Sequence, residues 1–186
     1  MSTGFQRTVT GRIVLRIDDM EKTVLVSLAE QMIAFVAPTE SAESAESIDP
    51  LAVIVGIDEI AETPSDPALA RMFPAAYRDD DEAAGDFRRF TERDLRAGKV
   101  ANASSVASCL EGSGSKLVLT ADEALCWLGF LNDARIAIGI RLEVTEENHD
   151  ELAELPEGDP RAGLFDVYDW LTFLQDSLVK LHLPAD

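Results

Sequence analysis

Cys109 and Cys126 are the two thiols of the chain, seventeen positions apart. A cysteine acts as a nucleophile, a metal ligand or one half of a disulfide. Zinc needs clustered Cys and His, and no histidine stands near either thiol, so no metal site is expected. His149 lies in an acidic stretch and His182 near the C-terminus. Both read as solvated surface residues rather than as a base or a ligand. The sequence has no G-x-x-x-x-G-K-[ST], no G-x-G-x-x-G after a strand and no H-E-x-x-H. Gly112-Ser113-Gly114-Ser115 is not a nucleophile elbow, which needs its serine on a strand-to-helix turn. Carboxylates are abundant, but they stand in solvated runs that mark no acid/base pair. The expectation is a protein that is not an enzyme and carries no cofactor.

Two further groups of polar residues carry weight. Asn132 and Arg135 sit inside an otherwise apolar helix. Buried polar groups need partners, and Asp133 or Asp169 would serve Arg135. The functional alternative is a polar pocket around the two. Arg88, Arg89, Arg93, Arg96 and Lys99 form the basic stretch, with Arg89, Arg93 and Arg96 on one helical face as a weak polyanion patch. Asp86, Glu92 and Asp94 interleave with them, and Glu92 to Arg96 is an i,i+4 pair. A salt-bridged, solvated face is the favoured reading.

The charge balance agrees. Lys and Arg number 16 against 35 Asp and Glu, a net charge of −19. Residues 37–66 and 142–160 each hold eight acids and no base, so the remainder is within three charges of neutral. An acidic chain repels phosphate, so DNA is expected to be bound only weakly or indirectly. Basic protein surfaces are favoured as partners and anionic membranes disfavoured. No apolar run approaches the ~20 residues of a membrane helix. The start MSTGFQRTVTGR has no apolar signal core, and a cytoplasmic protein is expected.

The elements that must hold these residues are mostly helical. Phe5–Val9 and Arg12–Ile17 are strand-like around Thr10-Gly11, a hairpin signal. Asp18 with Glu21 is a capping box that opens a helix to about Val36, striped by Val24, Leu25, Leu28, Met32, Phe35 and Val36. Residues 38–50, PTESAESAESIDP, form a low-complexity acidic linker. A short helix over 51–61 follows, and Asp66-Pro67 opens another that ends before Pro74. Residues 81–111 are helical, with Thr91 a candidate cap for a second segment. Lys116–Leu119 suits a third strand. Thr120 with Glu123 is a second capping box, opening an all-apolar helix over 121–142. A helix without a polar face is normally central. An acidic connector spans 143–159, and a last helix opens at Pro160 with a stripe of Leu164, Val167, Leu171, Leu174, Leu178 and Leu181. Core packing is the favoured reading of that stripe, and homodimerisation the alternative. The expected architecture is one mainly α domain over 1–186. It is a helical bundle around helix 121–142, with a small N-terminal β-hairpin and the third strand.

Cys109 then falls near the end of one helix and Cys126 near the start of the next. A short connector makes such helices antiparallel, which sets the thiols about one turn apart in level. A disulfide needs Cα atoms within about 7 Å, and this offset neither excludes nor guarantees one. Two readings stand: small core hydrophobes, or a redox pair.

The ordered segments DPALARMFPAAYRDDDEAAGDFRRFTERDLRAGKV (66–100), LNDARIAIGIRLEVTEE (131–147) and DPRAGLFDVYDWLTFLQDSLV (159–179) resemble the AosR family, an actinobacterial family formerly labelled a domain of unknown function and commonly encoded near the ClpS adaptor. The resemblance covers nearly the whole chain. It implies a redox-responsive regulator that works with an extracytoplasmic-function (ECF) sigma factor to raise transcription of cysteine-biosynthesis genes under oxidative stress. Assigning the sensing role to Cys109 and Cys126 is an inference from this sequence. Phe165 and Phe173, off the heptad stripe, are candidates for an aromatic partner contact, with internal packing as the alternative. The competing function is a redox-independent adaptor, linked to ClpS-type proteolysis by gene neighbourhood.

Overall fold

The hairpin turn decides how much strand the N-terminus can form. Thr8 N–H donates to Arg12 O (2.8 Å) and Gly11 N–H to Thr8 O (2.9 Å), with Gly11 at φ 81°, a conformation suited to glycine. The turn consumes residues 8–12, so β1 is only Gln6–Arg7 and β2 is Ile13–Arg16. In this computed structural model residues 3–37, 64–76, 80–156 and 158–182 are described. The linker 38–50 and the helix expected over 51–61 lie outside them.

β3 (Lys116–Leu119) joins the hairpin as expected. The sheet is antiparallel in the order β1-β2-β3, with Gln6 opposite Val14, and Ile13 and Leu15 opposite Leu119 and Leu117. Ile13, Leu15, Leu117 and Leu119 point into the core. Val14, which strand alternation sets on the opposite face, is also buried, flanked across the ladder by Gln6 and Val118.

Both capping boxes form. Asp18 Oδ1 accepts from Glu21 N–H at 2.8 Å and opens α1 (Asp19–Val36). Thr120 and Glu123 do the same for α4 (Ala121–Arg141). Asp66 accepts from Ala68 and Leu69 N–H and opens α2 (Pro67–Met72). Asp80 caps α3 (Asp81–Glu111), which runs unbroken for 31 residues. The second cap anticipated at Thr91 does not exist. Its hydroxyl donates to Phe87 O one turn back, which a helix interior tolerates.

The connector after α4 is more ordered than its composition suggests. Val144 N–H bonds Gly139 O, closing α4 with Glu143 in the left-handed region at φ 53°. α5 (His149–Ala153) follows, anchored by buried Leu152. α6 (Ala162–His182) starts two residues later than expected. Its buried positions are Phe165, Leu171, Leu174 and Leu178, while Leu164 stays 36% exposed. The reason is α5: the His149 ring stands edge-on to Phe165 at 5.2 Å, which covers that side of the helix.

The architecture is mainly helical with a small three-stranded antiparallel sheet. α4 is central, touching α1, α2, α3, α6 and β3. It is not enclosed all round, because Leu125 is 57% exposed. Trp127 is fully buried, with Phe5 edge-on at 5.4 Å and Phe130 at 6.4 Å. Phe5 is held there by its own N–H, which donates to Ser177 Oγ on α6. Gly4 permits that approach, since a Cβ would lie 2.9 Å from Ser177 Cβ.

Between α3 and α4, Lys99 Nζ meets Asp133 Oδ1 at 2.7 Å, with Asp133 almost wholly buried. Arg96 donates to Val36 O, a carbonyl at the end of α1, and lies over the Phe73 ring. Removing one partner of a buried pair leaves a charge uncompensated. Lys99→Met is expected to destabilise the fold by about 3 kcal/mol in urea denaturation. The double variant with Asp133→Leu should recover most of that loss; equal losses in single and double variants would refute the pairing. Glu143→Gly should raise stability by about 1 kcal/mol, a melting shift of roughly 2–4 °C for a chain of this size.

Candidate functional site

The register of α3 against α4 places the thiols. Lys99 pairs with Asp133, Asn102 packs on Gly129, and Cys109 meets Glu123. Gly129 permits that approach: a Cβ there would lie 2.4 Å from Asn102 Nδ2, and the amide would have to turn away. Continued along the helices, the same antiparallel register sets Cys126 opposite Ser105, one turn from the level of Cys109. A one-turn offset of about 5.4 Å along the axis uses up most of the roughly 7 Å between Cα atoms that a disulfide allows. Both cysteines are free and half-buried.

Cys109 has a built environment. Its thiol donates to the Glu123 carboxylate, the same group that accepts from Thr120 N–H (2.7 Å) and Thr120 Oγ1 (2.9 Å) in the cap of α4. Burial pushes the Cys109 pKa up, and the Glu123 charge and hydrogen bond push it further; Trp127 and Ser105 act in the opposite direction. The bonds from Thr120, backbone first, and then that from Cys109 hold Glu123 below the usual carboxylate range. The indole N–H of Trp127 is buried without a hydrogen-bond partner among the described residues. It stands near enough to Cys109 to favour the thiolate by a weak electrostatic contact. A thiol in this setting is held protonated, and the thiolate is the reactive form.

Glu123 was legible in the sequence as a cap, but its contact with Cys109 was not. Trp127 and Ser105 were likewise hidden, since all three depend on the helix register. Asn132 and Arg135 do not form a pocket. Asn132 is exposed, and Arg135 is held by α6 rather than by Asp133 or Asp169: its Nε donates to Thr172 Oγ1 (2.9 Å) and its Nη1 to Gln175 Oε1 (2.6 Å), with the Tyr168 ring at 5.4 Å.

Arg89, Arg93 and Arg96 do not act as one patch. Arg96 turns inward to Glu92 and Val36 O, while Arg93 faces solvent and Arg89 is half-buried. The Glu92–Arg96 pair anticipated from spacing forms at 2.7 Å. Arg88 and Lys99 also turn inward, to Glu92 and to Asp133. Phe165 and Phe173 separate as well. Phe165 packs in the core at 4% exposure, and Phe173 presents its ring at 45%. His149 is half-buried against Phe165, and His182 Nδ1 lies 2.9 Å from Leu178 O. No helix among the described residues is long and apolar enough to cross a membrane.

A family model described as a domain of unknown function, DUF2017, matches residues 2–181. A protein of Mycobacterium tuberculosis (strain ATCC 25618 / H37Rv) named oxidative stress regulator AosR is 33% identical over 179 residues, 89% of this chain and 79% of that one. The protein of the same name from Mycobacterium bovis matches to the same extent. A relative in Mycobacterium leprae is 35% identical over 151 residues, 74% of this chain and 68% of its own length. No solved structure gives a significant match. With nearly its full length matched, the chain belongs to the AosR family that the DUF2017 model describes.

Proposed function

We propose that the protein is a non-enzymatic, redox-responsive regulator that answers oxidative stress through the thiols Cys109 and Cys126. The names of its relatives support a regulatory role in oxidative stress. The observation that carries the thiol assignment is the pairing of two free, half-buried cysteines on the facing helices α3 and α4. Peroxide would take two electrons and two protons from the pair, leaving one S–S bond and two waters. Both thiols are free and stand about one turn apart in level, and we take movement of the end of α3 to close that offset. Cys109 lies in the last turn of α3, which ends at Glu111, and terminal turns are the cheapest to unwind. Unwinding it withdraws Leu110, fully buried, at about 2–3 kcal/mol. The closed loop contributes about 3 kcal/mol in the chain-entropy account. Two terms of similar size make a switch that oxidation can tip.

The output is contact with a protein partner, which we take to be an ECF sigma factor that directs transcription of cysteine-biosynthesis genes. The inward turn of Arg88, Arg96 and Lys99 and the net charge of −19 support promoter recognition by the partner rather than by this chain. Phe173 is the exposed aromatic candidate for that contact.

One observation favours a second reading, a redox-independent adaptor. Burial and Glu123 hold Cys109 protonated, which slows its oxidation at neutral pH.

Thiol trapping with intact-mass analysis, before and after mild peroxide, separates the two. The redox reading expects loss of two thiols, a Cys109–Cys126 link on peptide mapping, and partner binding that changes with oxidation in the parent but not in Cys109→Ser or Cys126→Ser. Thiols that stay free, with binding indifferent to peroxide and to both substitutions, would leave the adaptor reading. A second measurement concerns Glu123. Glutamine preserves a capping box while removing the charge, so Glu123→Gln should lower the Cys109 pKa and speed its alkylation at pH 8 several-fold, read peptide by peptide. An unchanged rate would show that Glu123 does not govern the thiol. The linked pH effect has a definite sign. Cys109 deprotonates later in the folded chain than at its ordinary value of 9.0. Its contribution is therefore fully present below that value and lost as pH rises through the folded one.

A further inference from the structure

α1 and α4 both pack on α3 but scarcely on each other, and their C-terminal halves bound an open groove. Its walls are apolar, from Leu28, Met32 and Phe35 on α1 and Ala134, Ala137 and Ile138 on α4, except for Gln31, whose amide donates to Ser27 O (3.2 Å) and Oγ (3.1 Å) one turn back. Leu28 to Phe35 and Ala134 to Arg141 each cover eight residues, about 10 Å of helix from first to last. The groove holds about 360 Å³, within the size class of single small-molecule sites.

One end of this apolar trough is cationic. The Arg141 guanidinium lies 5.3 Å from the Phe35 ring centroid, which steadies it at the mouth. The acids of the chain outnumber its bases by more than two to one. Even so, Arg141 has no carboxylate partner among the described residues. A neutral lipid would leave that charge unanswered, and a sugar would find a single amide, Gln31, on otherwise apolar walls. A phosphate would meet a single cation where such sites gather several. The complement of apolar walls with one terminal guanidinium is an unbranched apolar chain ending in one carboxylate. A docked helix, about 10 Å across, would have to part α1 from α4, which touch through Phe35 and Arg141.

We propose that this groove binds one medium-chain carboxylate, its tail between α1 and α4 and its head on Arg141. The site stands on geometry separate from the thiols, so its test is independent of the redox reading. Titration calorimetry on the full chain would use decanoate below its aggregation threshold, with decan-1-ol as the probe lacking a carboxylate. The expected result is saturable one-site binding of decanoate. Arg141→Gln should weaken it at least tenfold, and Ala34→Leu, which fills the groove from its exposed rim, should abolish it. Circular dichroism melting confirms that both variants fold. Absence of saturable binding overturns the proposal, as does decanoate affinity unchanged by Arg141→Gln, or decan-1-ol binding as tightly as decanoate. A groove that ignores decanoate but is shielded from hydrogen exchange by a protein partner would be a docking face, and the proposal would fall.

Discussion

Asp133 places a carboxylate on the central helix of the fold, at 4% exposure, and Lys99 Nζ is 2.7 Å away on α3. A lone charge at that depth is strongly disfavoured, so α3 and α4 are constrained to the one register that brings the two together. Much of the rest follows from that register. Asn102 settles on Gly129, Cys109 reaches the cap of α4 at Glu123, and Cys126 falls opposite Ser105. Lys99 also lies 5.7 Å from the Phe73 ring, beside Arg96 at 4.5 Å. The same ion pair therefore helps seat the segment after α2.

The thiols sit where the fold is both tight and finishing. Trp127 fixes the core beside Cys109, with Phe5 delivered onto it from the N-terminus. Two residues beyond Cys109, α3 ends. A rigid floor under a terminal turn lets a local covalent event unwind one turn without dissolving the bundle. The chemistry at rest is conservative, since Glu123 and burial keep the proton on sulfur. On the proposed redox reading, sensitivity to oxidant would depend on how often the last turn opens, which would link reactivity to fold dynamics rather than to a lowered pKa.

Charge is organised by the same economy of partners. Arg88, Arg96, Lys99 and Arg135 satisfy internal acceptors, and Arg161 and Lys180 pair locally. Those cations are held inward or paired locally, while the acids of 142–160 and 37–66 stand as uncompensated runs in the sequence. A net charge of −19 disfavours polyanions. Arg141, with no carboxylate partner among the described residues, stands at an apolar groove.

Local chemistry was written in the sequence. The capping boxes at Asp18–Glu21 and Thr120–Glu123, the Asp66-Pro67 start of α2, the Gly112 end of α3, the third strand and the central place of α4 were all readable, because each depends on neighbours within a turn or on periodicity. The family was readable too, from three long segments in order. What the sequence could not give was every contact that depends on how two elements meet. Thr91 looks like a cap until α3 is seen to pass through it. Leu164 looks buried until α5 covers Phe165 instead. Arg135 finds Thr172 and Gln175 rather than an acid, and Glu123 finds Cys109. Such pairings are set by helix rotation and sliding, which change which side chains face each other while leaving the local pattern unaltered. Burial of Asp133 fixed that sliding for α3 and α4, and burial is a property of the packed chain, not of any window within it.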